Sequence, residues 1–287
     1  MINLLKGVAS IVGGGQSNDK AEKPQKVDTP HPLAVRMDAF CAKIRARFDE
    51  SLPQGEEAVL ASLDDNDYDI YASLRTLSSI VSTVSETLVK RAGRVWQDEV
   101  RPQLLEEDEN NLDIKIAHQV SDQETGMRHE LEIWKTQTAG KLSQKYYDYA
   151  LTLVNKDFFC TQCKSPLAIK EKAFHSQYVT CAYCKTVNTF IPESKFCQAG
   201  WAVVDDLATY RVFDLFKEFR RWHNLPRRRD EAEAAAQREG TMKATLVFVQ
   251  AMLKERIELM PEAAENYDFD LKTKMRQIGF NENEYSI

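Results

Sequence analysis

The stretch Ile70–Val100, IYASLRTLSSIVSTVSETLVKRAGRVWQDEV, decides how this chain folds. Ile70, Leu74, Leu77, Val81, Val84, Leu88 and Val95 recur at alternating four- and three-residue steps, interrupted only at Arg91. A strand shows every second residue on one face, so this period belongs to a helix with one apolar seam. Asp64, Asp65, Asn66 and Asp67 supply N-cap acceptors before it, and Pro102 sets its limit just past Val100.

The reading extends outward from that helix. Glu106 to Asn111 form an acidic connection, and Ser121–Asn155 reads as a second long helix with Met127, Leu131, Trp134, Leu142, Tyr146, Tyr149 and Leu153 turned inward. Two long helices joined by a polar connection predict an antiparallel hairpin. The seam suits a compact bundle and an extended coiled coil equally.

Upstream, Leu33–Ser51 reads as a helix ended by Pro53-Gln54-Gly55, with a short helix over Glu56–Leu63. Downstream, Trp201–Trp222 is strongly amphipathic, Glu231–Glu239 is alanine-rich, Thr241–Met260 carries one apolar face, and Leu271–Ile278 is a final short helix. Proline (9) and glycine (11) are scarce among 287 residues, which also favours helix. The fold class is therefore mainly α, a long antiparallel helical hairpin or bundle, and strand signal is confined to one insertion.

That insertion holds Cys160, Cys163, Cys181 and Cys184, spaced C-x2-C-x17-C-x2-C. Two residues between paired cysteines let both sulfurs of a tight turn converge on one ion, and thiolates suit tetrahedral zinc at about 2.3 Å. With four thiolates no coordination position stays open for water, so the predicted zinc ion is structural. β-rich runs at Phe158-Phe159, Tyr178-Val179-Thr180 and Val187–Ile191 supply short strands for the metal to staple. The competing readings are four free thiols, two disulfides or an iron centre. His175 lies between the pairs and reads as a surface or neighbouring residue rather than a ligand, while Cys41 and Cys197 read as small buried hydrophobes.

From Cys160-Thr161-Gln162-Cys163 through Cys181-Ala182-Tyr183-Cys184-Lys185 the chain resembles the zinc-ribbon class of four-cysteine modules, over Phe158–Ile191 only. Zinc ribbons often carry glycine after the second cysteine of each pair, where this chain has Lys164 and Lys185. The resemblance implies a small β fold around one ion. It leaves function open, since such ribbons occur in transcription and translation factors, in interaction modules and as plain stabilising inserts.

Paired C-x-x-C spacings in a chain of this size favour a reducing compartment, so the expected location is cytoplasmic. Near the start, Leu4, Leu5, Val8 and Val12 share one helical face and Gly13-Gly14-Gly15 end the run. A polar, proline-containing stretch follows. The expected organisation is an amphipathic helix over 1–12, a flexible tether over 13–32, a helical domain over 33–156, the ribbon over 157–195, and a C-terminal helical region over 196–287 packing on the first. Residues 1–12 fit a membrane surface, a partner groove or the protein's own body.

The net charge of −6 argues against a nucleic-acid footprint over the whole chain. Locally, Arg211, Lys217, Arg220, Arg221, Arg227, Arg228 and Arg229 stand against Asp214 and Glu218 only. This stripe at 211–229 reads as a solvated face or as a site for nucleic acid, anionic lipid or an acidic protein. No catalytic pattern is present: the Gly13-Gly14-Gly15 run lacks the lysine of a phosphate loop, and His129-Glu130 has no second histidine one turn on. The sequence thus reads as a non-enzymatic scaffold or adaptor whose partner is another protein, with self-association through the hairpin included. Nucleic-acid binding is the alternative.

Overall fold

The computed structural model describes residues 31–105, 112–154, 158–168, 176–191, 194–226 and 228–285. The expected helix at 1–12, most of the 13–32 tether and the acidic connection Glu106–Asn111 lie outside them. The described chain is mainly α-helical with one small two-stranded sheet.

Helix α1 spans Pro32–Asp65 without the expected break at Pro53. Pro53 and Asp49, whose carbonyl loses its partner to the missing N–H, are both exposed, so that carbonyl is open to solvent. Phe48, Gly55 and Val59 on the opposite side are buried and keep both halves on one axis. Gly55 reads as a breaker but serves close packing: a Cβ there would lie 3.1 Å from Ile80 Cγ2 and 3.2 Å from the Trp134 ring.

Asp67 and Tyr68, at φ of 50° and 54°, turn the chain through the left-handed region. The N-cap of helix α2 (Ile70–Val84) is Asp69, not the earlier acidic cluster; its carboxylate accepts from Ala72 N at 3.0 Å. A π turn over Ser85–Val89 follows, then α3 (Arg91–Val95), a second π turn (Trp96–Val100) and α4 (Arg101–Leu105). Ile70, Leu77 and Val84 are buried as the seam requires. From the last residue of the first π turn onward the next buried residues are Val89, Ala92 and Trp96, each one position after the expected Leu88, Arg91 and Val95. A π turn holds one residue more than an α turn, so it rotates Arg91 into solvent and brings Ala92 inward. The second π turn ends at Val100, and Pro102 sits in the first turn of α4, where a proline is tolerated, so the run continues to Leu105, past the limit that proline was expected to set.

Helix α5 (Leu112–Val154) starts ahead of the expected Ser121, because Ile116 and Val120 are buried with Met37, Cys41, Trp96 and Leu104 in a separate apolar cluster. Pairs of contacts set the directions. Gln119 with Asp38, Glu130 with Arg45, Lys141 with Glu56 and Lys145 with Asp64 run α5 alongside α1 in the same sense. Tyr149 stacks on Tyr68 at 3.7 Å between ring centroids, while Glu124 lies against Gly93. The run from α2 to α4 is therefore antiparallel to α5, and the seam lies inside a compact bundle with α1.

On the other flank of α5 lie α6 (Ser194–Arg211) and α7 (Phe213–His223), expected as one helix but interrupted at Val212 (φ −108°, ψ 31°). Tyr210 meets Gly140, where a Cβ would come within 2.3 Å of Tyr210 Cβ. Consecutive Thr138, Ala139 and Gly140 are buried because α5 is enclosed from several sides. Helix α8 (Glu231–Leu259) joins the two segments read separately and packs antiparallel on α6 and α7. Arg256, 8% exposed, ties it to Asp205 on α6 at 3.3 Å and to Asp270 at 3.0 Å. Asp270 belongs to the last helix, α9 (Tyr267–Ile278), which ends on Gly279 at φ 102°. No described helix is long and apolar enough to cross a membrane.

Candidate metal centre

Between α5 and α6 in the chain, strands β1 (Gln177–Thr180) and β2 (Val187–Phe190) pair antiparallel, with Tyr178 opposite Thr189 and Thr180 opposite Val187. Both cysteine pairs sit in the same kind of turn. In the first, Lys164 N donates to Cys160 O at 3.0 Å and Cys160 N to Ser165 O at 2.8 Å. In the second, Lys185 N donates to Cys181 O at 3.1 Å and Cys181 N to Thr186 O at 2.9 Å. Lys164 and Lys185, the two departures from glycine, both hold φ of 61°. Phe159 bridges Pro166 beside the first turn, and Phe158 meets Phe190 edge-on at 5.5 Å.

The four sulfurs lie within 4.8 Å of one another and could hold a metal ion. Cys160 Sγ is 3.5 Å from Cys184 Sγ, and Cys163 Sγ is 3.5 Å from Cys181 Sγ. That is far beyond an S–S bond of about 2.05 Å. It is close to the roughly 3.8 Å edge of a tetrahedron with metal–sulfur bonds near 2.3 Å. All four are free thiols; Cys160 and Cys181 are buried, Cys163 is exposed and Cys184 half-buried.

The turns prepare the sulfurs electrostatically. Backbone N–H groups of Cys163 and Gln162 hold the Cys160 thiol down at about 6. The Ser165 hydroxyl and N–H lower Cys163. At Cys181 the Cys184 N–H pulls down, but burial and the neighbouring sulfurs of Cys163 and Cys184 outweigh it, and the thiol is raised. Four thiolates repel unless a cation joins them, so this donor set suits a soft or borderline ion better than an empty pocket.

Residues around the sulfurs that sequence reading missed complete the site. Ser165 Oγ lies 3.3 Å from Cys163 Sγ, and Thr186 Oγ1 lies 3.3 Å from Cys184 Sγ. Asn188, buried on β2, donates to Cys160 Sγ at 3.6 Å and to Thr186 O at 3.0 Å. Its Oδ1 accepts from Thr161 N at 2.8 Å, so one side chain clasps both turns. A signal was present: each pair is followed by lysine and then a hydroxyl residue, C-x2-C-Lys-Ser/Thr, twice in the chain.

The other expected site residues are dispersed. Leu4, Leu5, Val8 and Val12 lie outside the described residues, as do Arg227 and His175. Arg220 pairs with Glu132 and lies over the Phe219 ring. Arg221 pairs with Glu218 at 2.7 Å, while Arg228 and Arg229 are exposed. The stripe at 211–229 is thus partly spent on ion pairs within the fold. Cys41 is buried in α1, and burial together with Asp38 pushes its thiol up. Comparison of the chain with protein-family models, with curated proteins and with solved structures finds no match.

Proposed function

We propose that Cys160, Cys163, Cys181 and Cys184 hold one structural zinc ion, and that the protein is a non-enzymatic helical scaffold whose ribbon is a protein-interaction platform. One observation carries this reading. The ribbon exposes Tyr178 (80%), Tyr183 (79%), Ile191 (73%), Val187 and Phe159, a density of bare apolar groups found nowhere else among the described residues. Tyr178 and Val187 stand on one face of the sheet with Thr180 and Thr189, while Val179 and Asn188 turn inward. A module this small has little core of its own, so the metal supplies its folding free energy and frees these side chains for a partner.

Residues 1–12 would dock to the same partner or to a membrane surface. The second reading, nucleic-acid binding, draws on Lys164 and Lys185 beside Tyr178 and Tyr183, with no carboxylate among the described ribbon residues. Affinity capture with Tyr178→Ser/Ile191→Ser against wild type separates these readings. A partner lost with the variant at unchanged metal content supports the platform. Binding of single-stranded nucleic acid that falls steeply with salt supports the second reading, and retention of every partner by the variant contradicts the first.

A further inference from the structure

Apart from the ribbon, a groove of about 450 Å³ opens between α2, α5 and α7. Its donors are Ser85 at the start of the first π turn, Thr125, Arg128, His129 and Lys135 on α5, Arg220 on α7 and Asn224 just after it; Arg128 is paired with Glu124, and Glu132 is the one acidic group that lines the groove. We propose that this groove binds the phosphoryl group of a small phosphorylated molecule. The proposal is independent of the metal and of the platform reading.

Arg220 is the central observation. Its side chain is 18% exposed, and its Nε is buried with no hydrogen-bond partner among the described residues. A guanidinium this desolvated is costly to hold, and an oxyanion in the groove that Arg220 lines offsets the cost with charge-assisted bonds to its Nη groups. Glu132, 47% exposed, occupies one edge of that guanidinium and is free to swing into solvent when a stronger acceptor arrives. Lys135 lines the groove at an exposed position, and Asp206, from α6, senses its charge. Asn224 Nδ2 donates to His129 Nδ1 at 2.5 Å, which leaves the imidazole proton on Nε2. Burial and Arg220 favour the neutral ring, so His129 offers a donor without adding charge.

The Arg220 guanidinium, the Lys135 ammonium, the imidazole N–H and two hydroxyls are five donor groups, more than the roughly four lone-pair sites of a carboxylate and within the capacity of the three oxygens of a phosphoryl group. The volume suits a small molecule.

The test is calorimetric titration of the full chain at pH 7 and constant ionic strength with inorganic phosphate, a pentose phosphate, a phosphoserine peptide and acetate. Saturable binding of one phosphate per chain is expected, with movement of the His129 ring signals in NMR spectra. The pentose phosphate should bind more tightly than inorganic phosphate. Lys135→Met, at an exposed position, should weaken binding about fivefold, and Glu132→Gln should tighten it by a similar factor. No saturable binding of any phosphorylated probe, equal binding of acetate, or unchanged affinity in Lys135→Met overturns the proposal. Tighter binding of the peptide than of the pentose phosphate overturns the small-molecule assignment.

Discussion

Lys164 and Lys185 sit where the chain reverses beneath each pair of sulfurs, at φ of 61°. A side chain in that region costs about 1–2 kcal/mol, which the turn recovers by giving both N–H groups a carbonyl partner. Their unbranched stems make this tolerable; a β-branched residue is far more strained there. Lys185→Gly should therefore hold the metal at least as tightly as wild type in a chelator competition, whereas Lys185→Val should lose about 2 kcal/mol of metal-binding free energy. The same competition should show Asn188→Ala weakened by about 1–3 kcal/mol, since it strips the Thr161 N–H of its acceptor and the buried Cys160 sulfur of a donor. The cysteine spacing announced which four sulfurs come together because sulfur geometry is local. Asn188 was not legible, since strand register alone brings it back to Cys160.

At the scale of the elements, helical period marked every long helix, and what it missed were the terminations. Pro53 and Gly55 carry the local chemistry of a stop, yet Phe48 and Val59 are buried on one continuous face and packing overrides it. The heptad seam stopped being predictive at Leu88, inside the π turn that absorbs the misfit. Its position was encoded by Ala92 and Trp96 forming a better inner face than Arg91 and Val95. Packing also sets the worth of Gly140: Gly140→Ala drives a methyl into Tyr210 and should cost about 1–3 kcal/mol in urea unfolding.

Asp206 on α6 gives that interface a pH dependence. Burial and the neighbouring Asp205 raise its carboxyl to about 6. The folded state therefore prefers the protonated form, so its contribution is fullest below about pH 4 and is lost as pH rises through about 6. Asp206→Asn should stabilise the protein by up to about 3 kcal/mol at pH 7 and by little at pH 4, read as the difference in unfolding free energy from wild type. An equal gain at both pH values would contradict this.

For the whole molecule, α5 is the spine: α1 and α2 enclose one flank, α6 and α7 the other, and α8 with α9 close the outer layer. The mainly helical class followed from period and scarce proline. The three-helix arrangement on the first flank did not, because the offsets that pair Arg45 with Glu130 and Glu56 with Lys141 are tertiary facts. The ribbon differs in kind, since two four-residue strands have too little core to hold themselves, and a metal on the four sulfurs would supply what they lack. Chelation should accordingly remove the ribbon's order while the helical circular dichroism changes little. Elemental analysis of freshly purified, reduced full-length protein tests the central claim most directly. About one zinc per chain is expected, lost when Cys160 or Cys184 is replaced by serine; less than about half an equivalent, or another metal in its place, would rule out a structural zinc site.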